Sequence, residues 1–144
     1  MATVQVLYGD NYTKQETPKS TNIIAPGVWG GRVRVQVDEY TTAAGADPGD
    51  VGSTLYMGKL PAGATYLGSD IISAALGATL EMSLGDGTTV DLFMLATVCH
   101  SNTVEARLTI GTKYAAITKL ILTTSVVALA AEQKIIMITY YTQD

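Results

Sequence analysis

The chain has 144 residues, enough for one domain that buries roughly 70% of the surface its unfolded form exposes, and its single cysteine, Cys99, excludes an internal disulfide. Only 15% of the residues are charged, against about 25% in ordinary soluble domains. The net charge is −4 with no run of Lys or Arg, which excludes nucleic acid as the main partner, because that binding needs several phosphate-neutralising cations. So few charges leave a threonine-rich surface, apolar surface covered by other chains, or both.

From Met1 to Val6 no basic region precedes an apolar stretch, so the opening does not read as a secretory signal. Thr3–Tyr8 fits a brief strand. The polar stretch from Gly9 to Asn22 has no period, and the segment that follows is broken by Pro26, Gly27, Gly30 and Gly31. Residues 1–31 therefore read as an extended N-terminal arm that orders on a neighbouring surface, with Val4, Val6, Leu7, Tyr8, Tyr12 and Trp29 as its partner-binding residues. An edge strand plus a loop within the same subunit is the plainer alternative.

Residues 32–144 read as the folded domain. Arg32–Tyr40 alternates, with Val33, Val35 and Val37 on one side and Arg34, Gln36 and Asp38 on the other. Thr41–Ser53 reads as a long rim loop with no anchor for a core. Thr54–Lys59 and Thr65–Ser73 flank a turn at Leu60-Pro61-Ala62-Gly63, where Pro61 pre-sets φ and Gly63 suits the exit of a type I turn. Gly68, inside the second strand, predicts a bulge or a close backbone approach. Thr79–Leu84 places Leu80, Met82 and Leu84 inward, and Gly85-Asp86-Gly87 turns the chain.

Val90–Val98 reads as a longer strand buried on both faces, with Cys99 a small buried hydrophobe at its end. Thr103–Ile110 alternates weakly, and its period also fits half a helix. Thr118–Ser125 and Lys134–Thr142 are β-branched strands, joined through a helical turn or outward loop at Val127–Ala131. The longest apolar stretch, Leu120–Ala131, is too short to span a bilayer and contains Thr123, Thr124 and Ser125, so no membrane partner is expected, and the chain reads as soluble and made in a cytoplasm.

The chemistry-bearing residues are sparse. His100 is the sole histidine and follows Cys99, and side chains of adjacent strand residues point to opposite faces. The pair offers too few ligands for zinc and no converging nucleophile and base, and no Gly-x-Ser-x-Gly elbow is present. Glu81, Asp86, Asp91, Asp70 and Glu105 are candidates for paired carboxylates, but they read more simply as solvated strand faces and turn formers. Asp47-Pro48-Gly49-Asp50 and Gly85-Asp86-Gly87 lack the alternating ligand spacing of a calcium loop. The expectation is no enzyme, no metal and no cofactor.

About eight strands with turn signals roughly every ten residues and no long amphipathic helix predict an all-β, antiparallel β-sandwich. The even strand number, a long connection after the first strand and the arm favour a jelly roll. The ordered set Lys59-Leu60-Pro61-Ala62-Gly63-Ala64, Ala75-Leu76-Gly77-Ala78-Thr79-Leu80 and Leu84-Gly85-Asp86-Gly87 resembles small virion structural proteins of tailed bacteriophages, among them capsid cement or decoration proteins with jelly-roll-like folds. The resemblance covers roughly residues 54–98 and carries over no functional-site residue, since the matching positions are turns. It implies a homotrimer or similar assembly on the outer capsid surface of a virion, gripping the major capsid (coat) protein through its arm. An alternative function is a carbohydrate- or receptor-binding module of a phage tail or fibre, with Tyr56, Tyr66 and Tyr114 on one exposed platform.

Overall fold

The computed structural model describes residues 4–9, 12, 13, 16, 33–45 and 47–143. Among these lie nine strands: β1 (Val6–Tyr8), β2 (Val33–Thr41), β3 (Thr54–Leu60), β4 (Thr65–Ser73), β5 (Glu81–Gly85), β6 (Met94–Val98), β7 (Thr103–Ala106), β8 (Thr118–Ser125) and β9 (Lys134–Thr142). They form a five-stranded sheet in the order β1-β3-β8-β5-β6 and a four-stranded sheet in the order β2-β9-β4-β7. Every pairing is antiparallel except β1 with β3, which is parallel. The protein is thus the all-β sandwich expected from the strand count. The last strand, β9, lies between β2 and β4 and is hydrogen-bonded to both.

The core lies between the two sheets. Leu55, Met57 and Leu60 of β3, Leu120 and Leu122 of β8, and Met82 and Leu84 of β5 are buried together with Tyr66 and Ile71 of β4 and Ile135 and Met137 of β9. The alternation of these residues along each strand is what a two-faced sheet requires, since successive side chains point to opposite sides. Cys99 belongs to this core, and burial pushes its thiol up to about 11. The bulge expected at Gly68 is present: the β4–β9 register shifts between Tyr66 and Gly68, and Gly68 has φ of 126°. A Cβ there would lie 2.6 Å from Arg107 Nη1, so glycine is needed for space as well as for conformation.

Three expectations change, and one left open is decided. Val90–Val98 was expected to be buried on both faces, but only Met94–Val98 is strand, and Leu95, Thr97 and Val98 are exposed because β6 is the edge of its sheet. The loop after β2 is anchored rather than loose: Thr42 is buried, its hydroxyl donates to the Ala130 carbonyl at 2.6 Å, and Leu129 N–H donates to the Gly49 carbonyl at 2.9 Å. The turn after β3 closes one residue later than expected, with Ala64 N–H on the Pro61 carbonyl at 3.1 Å and Gly63 at φ of 81°, the third-position geometry of a type II turn. In β2 the two residue sets do separate, and it is the valines that face out: Gln36 and Asp38 are buried, while Val33, Val35 and Val37 are 53%, 53% and 47% exposed.

Candidate partner-binding surface

The N-terminal residues are placed by β1. Val6, Leu7 and Tyr8 run parallel to Thr54, Leu55 and Tyr56 of β3. This pairing sets Tyr8 beside Tyr56 on the outer face of the five-stranded sheet and turns Leu7 toward the core. Gly9 N–H donates to the Tyr56 carbonyl, and the chain then bends so tightly past β2 that a Cβ on Gly9 would meet the Asp38 carboxylate at 2.8 Å from its carbon. Tyr12, Thr13 and Glu16 carry helical backbone geometry, and Thr13 N–H bonds back to the Gly9 carbonyl at 3.0 Å.

Asp38 is the anchor of this bend. Its carboxylate is 2% exposed, and it accepts the Tyr12 N–H at 3.1 Å on one oxygen and the Glu39 N–H at 2.9 Å on the other. A buried carboxylate is tolerated because backbone donors replace the water it loses. Asp38→Ala is therefore expected to strand the Tyr12 N–H and cost about 1–3 kcal/mol locally. Amide exchange at Tyr12 should accelerate in the variant well beyond any change in the β8 amides; equal protection in both proteins would show that Asp38 does not hold the segment.

Three tyrosines meet on this face. The Tyr8 and Tyr12 ring centroids are 5.5 Å apart, Tyr8 and Tyr56 5.1 Å, and Tyr12 and Tyr56 4.9 Å. Lys59 Nζ sits 4.8 Å from the Tyr12 ring centroid and is ion-paired to Glu16, and Lys119 Nζ sits 5.6 Å from the Tyr56 centroid. Burial, then the Glu16 carboxylate, pushes the Tyr12 phenol up to about 12, while the Lys59 ammonium holds the Glu16 carboxyl below its ordinary range.

Tyr56 and Lys119 floor a trough with two arms. One arm, about 460 Å³, is walled by Tyr8, Tyr12, Thr13 and Glu16. The other, about 420 Å³, is walled by Asp86, Gly87, Thr88 and Ile117. The second wall is a loop folded over the sheet: Asp86 Oδ1 accepts the N–H groups of Thr88 and Thr89, both at 2.8 Å, and Gly87 rests over Ile121. Aromatic rings, two ammonium groups and apolar rim residues in one concave face suit a docking polypeptide better than they suit bond-breaking chemistry.

Of the expected arm residues, Val4, Val6 and Tyr8 are exposed, Leu7 packs on the core and Tyr12 is buried within the tyrosine cluster. Trp29 lies outside the described residues. The platform of Tyr56, Tyr66 and Tyr114 does not form. Tyr66 is fully buried between the sheets, with burial raising its phenol to about 12, and Tyr114 packs on Phe93, while Tyr56 faces outward on the other side of the five-stranded sheet. Asp70 accepts from Arg107 Nη2 at 2.6 Å and from Tyr140 Oη at 3.0 Å, and Glu105 lies 3.7 Å from the same guanidinium. His100 Nδ1 accepts the Gly77 N–H at 3.3 Å. Among the described residues no three His, Cys, Asp or Glu side chains gather. Lys59 and Lys119 were missed as members of the site, because only the β3–β8 pairing brings them to the tyrosines.

No protein-family model matches the chain, and no curated protein matches it. Three solved structures are similar to it. A chain of the cyanophage Pam1 capsid asymmetric unit superposes with a TM-score of 0.68 at 20% identity, over 89% of this chain and 99% of that one. A chain of the capsid of Ralstonia phage GP4 gives 0.72 at 16% identity, over 96% and 98%. A chain of the acidic stable capsid structure of Helicobacter pylori bacteriophage KHP30 gives 0.56 at 14% identity, over 76% and 86%. The shared property is the fold, nearly end to end in the first two.

Proposed function

We propose that this chain is a non-enzymatic structural protein of a bacteriophage virion that binds the assembled capsid shell from outside and stabilises it, as cement or decoration. The observation that carries the reading is the near-complete superposition on two chains from phage capsids. The strand order supports it: β3-β8-β5-β6 over β2-β9-β4-β7 is the arrangement of an eight-stranded jelly roll, with β1 added at one edge. A protein that binds the assembled shell and not its free subunits shifts the equilibrium toward the shell by mass action. Association of copies, as a homotrimer, would multiply the contacts and raise avidity.

The coat-binding element in this reading is residues 1–31, rooted on its own sandwich by β1 and Asp38 and presenting Val4, Val6 and Tyr8 to the coat protein. Deleting the whole segment would also strip β1 from its sheet, so substitutions of outward side chains are the cleaner test. Purified protein is added to capsid shells that lack it and co-sedimented. Val6→Lys combined with Tyr8→Ala is expected to weaken binding roughly 30-fold, the effect of losing about 2 kcal/mol at a hot spot. Undiminished binding by a folded double variant would remove the N-terminal face from the reading, and failure of the wild type to bind any shell would remove the reading itself.

A further inference from the structure

We infer that the second arm of the trough is a binding site for a neutral carbohydrate, a function that goes beyond the capsid role proposed above and uses none of the residues assigned there to the coat. The two arms differ in kind. Three tyrosine rings and an ion pair crowd the arm beside the N-terminal segment. The arm of about 420 Å³ on the other side of Tyr56 is walled mainly by polar residues, Asp86, Thr88, Thr118 and Lys119, with Ile117 as its exposed apolar member. That volume falls in the range of about 300–1,000 Å³ typical of small-molecule sites.

Charge excludes most occupants. Asp86 and Lys119 line the same arm, and among the described residues neither forms an ion pair. Glu16, which walls the neighbouring arm, is already paired with Lys59. A phosphate or an acidic peptide would meet Asp86 along with Lys119, on a chain whose net charge is −4, and a cation would meet Lys119. An uncharged group that both donates and accepts hydrogen bonds satisfies the carboxylate and the ammonium together. Neighbouring sugar hydroxyls have that property.

The floor selects a sugar over a peptide. Tyr56 is half-buried, and its ring is held by Tyr8 at 5.1 Å and Tyr12 at 4.9 Å, centroid to centroid. An aromatic face is electron-rich and attracts the polarised C–H groups that a pyranose ring presents on one side. The strands beneath cannot take an added peptide strand, because β3 is already paired to β1 and β8, and β8 to β3 and β5. Ile121 is buried under Gly87, so an apolar side chain would meet only Ile117 and the ring. The polar groups are positioned in advance, which lowers the cost of binding. Asp86 Oδ1 is fixed by the Thr88 and Thr89 N–H groups at 2.8 Å, and Lys119 Nζ, 5.6 Å from the Tyr56 centroid, is within reach of the hydroxyls of a sugar lying against that ring. Copies arrayed on a shell would hold a polysaccharide surface by avidity even where each site binds weakly.

The test is an NMR titration of the purified full chain, without shells. Maltotetraose, cellotetraose and chitotetraose are the neutral probes, a hyaluronan tetrasaccharide the acidic one, and a Gly-Ser-Thr peptide the neutral polypeptide. At least one neutral sugar is expected to shift the amides of Tyr56, Asp86, Thr88 and Lys119 selectively. Tyr56→Ala is expected to weaken that binding roughly tenfold, the upper range of what one aromatic contact contributes. Asp86→Asn keeps the oxygen that accepts the loop N–H groups and removes the charge, so it serves if Tyr56→Ala disturbs the N-terminal segment. It should weaken the neutral sugar severalfold and improve the acidic one. No shift with any neutral sugar overturns the inference, as do shifts confined to other parts of the molecule or unchanged affinity in both variants. Tighter binding of the hyaluronan probe, or equal binding of the peptide, also overturns it, since the arm would then select charge or polypeptide. No shell takes part, so failure here leaves the capsid-binding reading to its own co-sedimentation experiment.

Discussion

Tyr66→Ala is expected to lower stability by about 4 kcal/mol, the upper range for truncating a large buried side chain. The residue is fully buried, and its ring lies 4.7 Å from Phe93, centroid to centroid. Its hydroxyl donates to Ser69 Oγ at 3.0 Å, with the Ala106 carbonyl at 3.3 Å, and Ser69 Oγ is in turn 2.9 Å from Thr139 Oγ1. Truncation opens a cavity and leaves part of a buried polar chain without its end. Urea titration of the variant should show the lower midpoint with little change in slope, and its thermal midpoint should fall by roughly 10 °C. Tyr66→Phe separates the two losses, because it keeps the ring and costs only the hydroxyl's share, about 1–2 kcal/mol. If Phe and Ala prove equally damaging, the ring packing contributes nothing and the account of this site is wrong.

Gly85→Ala is the second large effect, at about 3 kcal/mol, because the added methyl meets backbone and not a movable side chain. A Cβ at Gly85 would lie 2.7 Å from Val90 Cα and closer still to the Thr89 carbonyl oxygen. Relief requires the 86–90 loop to lift from the sheet, which uncovers Ile121 and removes one wall of the trough beside Tyr56. Gly63→Ala is the control: its Cβ would meet nothing within 4 Å, so only the strain of φ at 81° remains, about 1 kcal/mol. Equal thermal midpoints for the two variants would mean that the loop yields freely and that the close approach at Gly85 carries no weight.

Much of the sandwich is legible in the chain, for a local reason. Thr65–Ser73, Thr118–Ser125 and Lys134–Thr142 are strands to the residue, since β-branched side chains and flanking turn residues act over a few positions. Val90–Val98 is misleading because an apolar run reads the same whether its strand is central or at an edge, and strand order is a long-range property. The tyrosine site is invisible for the same reason. Tyr8, Tyr12 and Tyr56 meet only through a parallel pairing and a bend fastened by a buried aspartate, and Tyr66, with the same side chain, is committed to the core. The alternation of β2 reveals two faces but not which of them is wet, and the answer runs against hydropathy.

The place of β9 in its sheet also fixes when this molecule can come into being. β9 follows both of its neighbours in the chain, so Val33–Thr41 and Thr65–Ser73 have no partner between them until Lys134–Thr142 has been made. Folding cannot proceed piecemeal as the chain emerges, and the long loops that must close make it slow, on the order of milliseconds to seconds for sandwiches of this contact order. Until then the nascent polypeptide carries two unsatisfied ribbons that are prone to associate with other chains. Its sparse charge offers little protection during that interval, and the insertion of β9 between the two ribbons is what ends it.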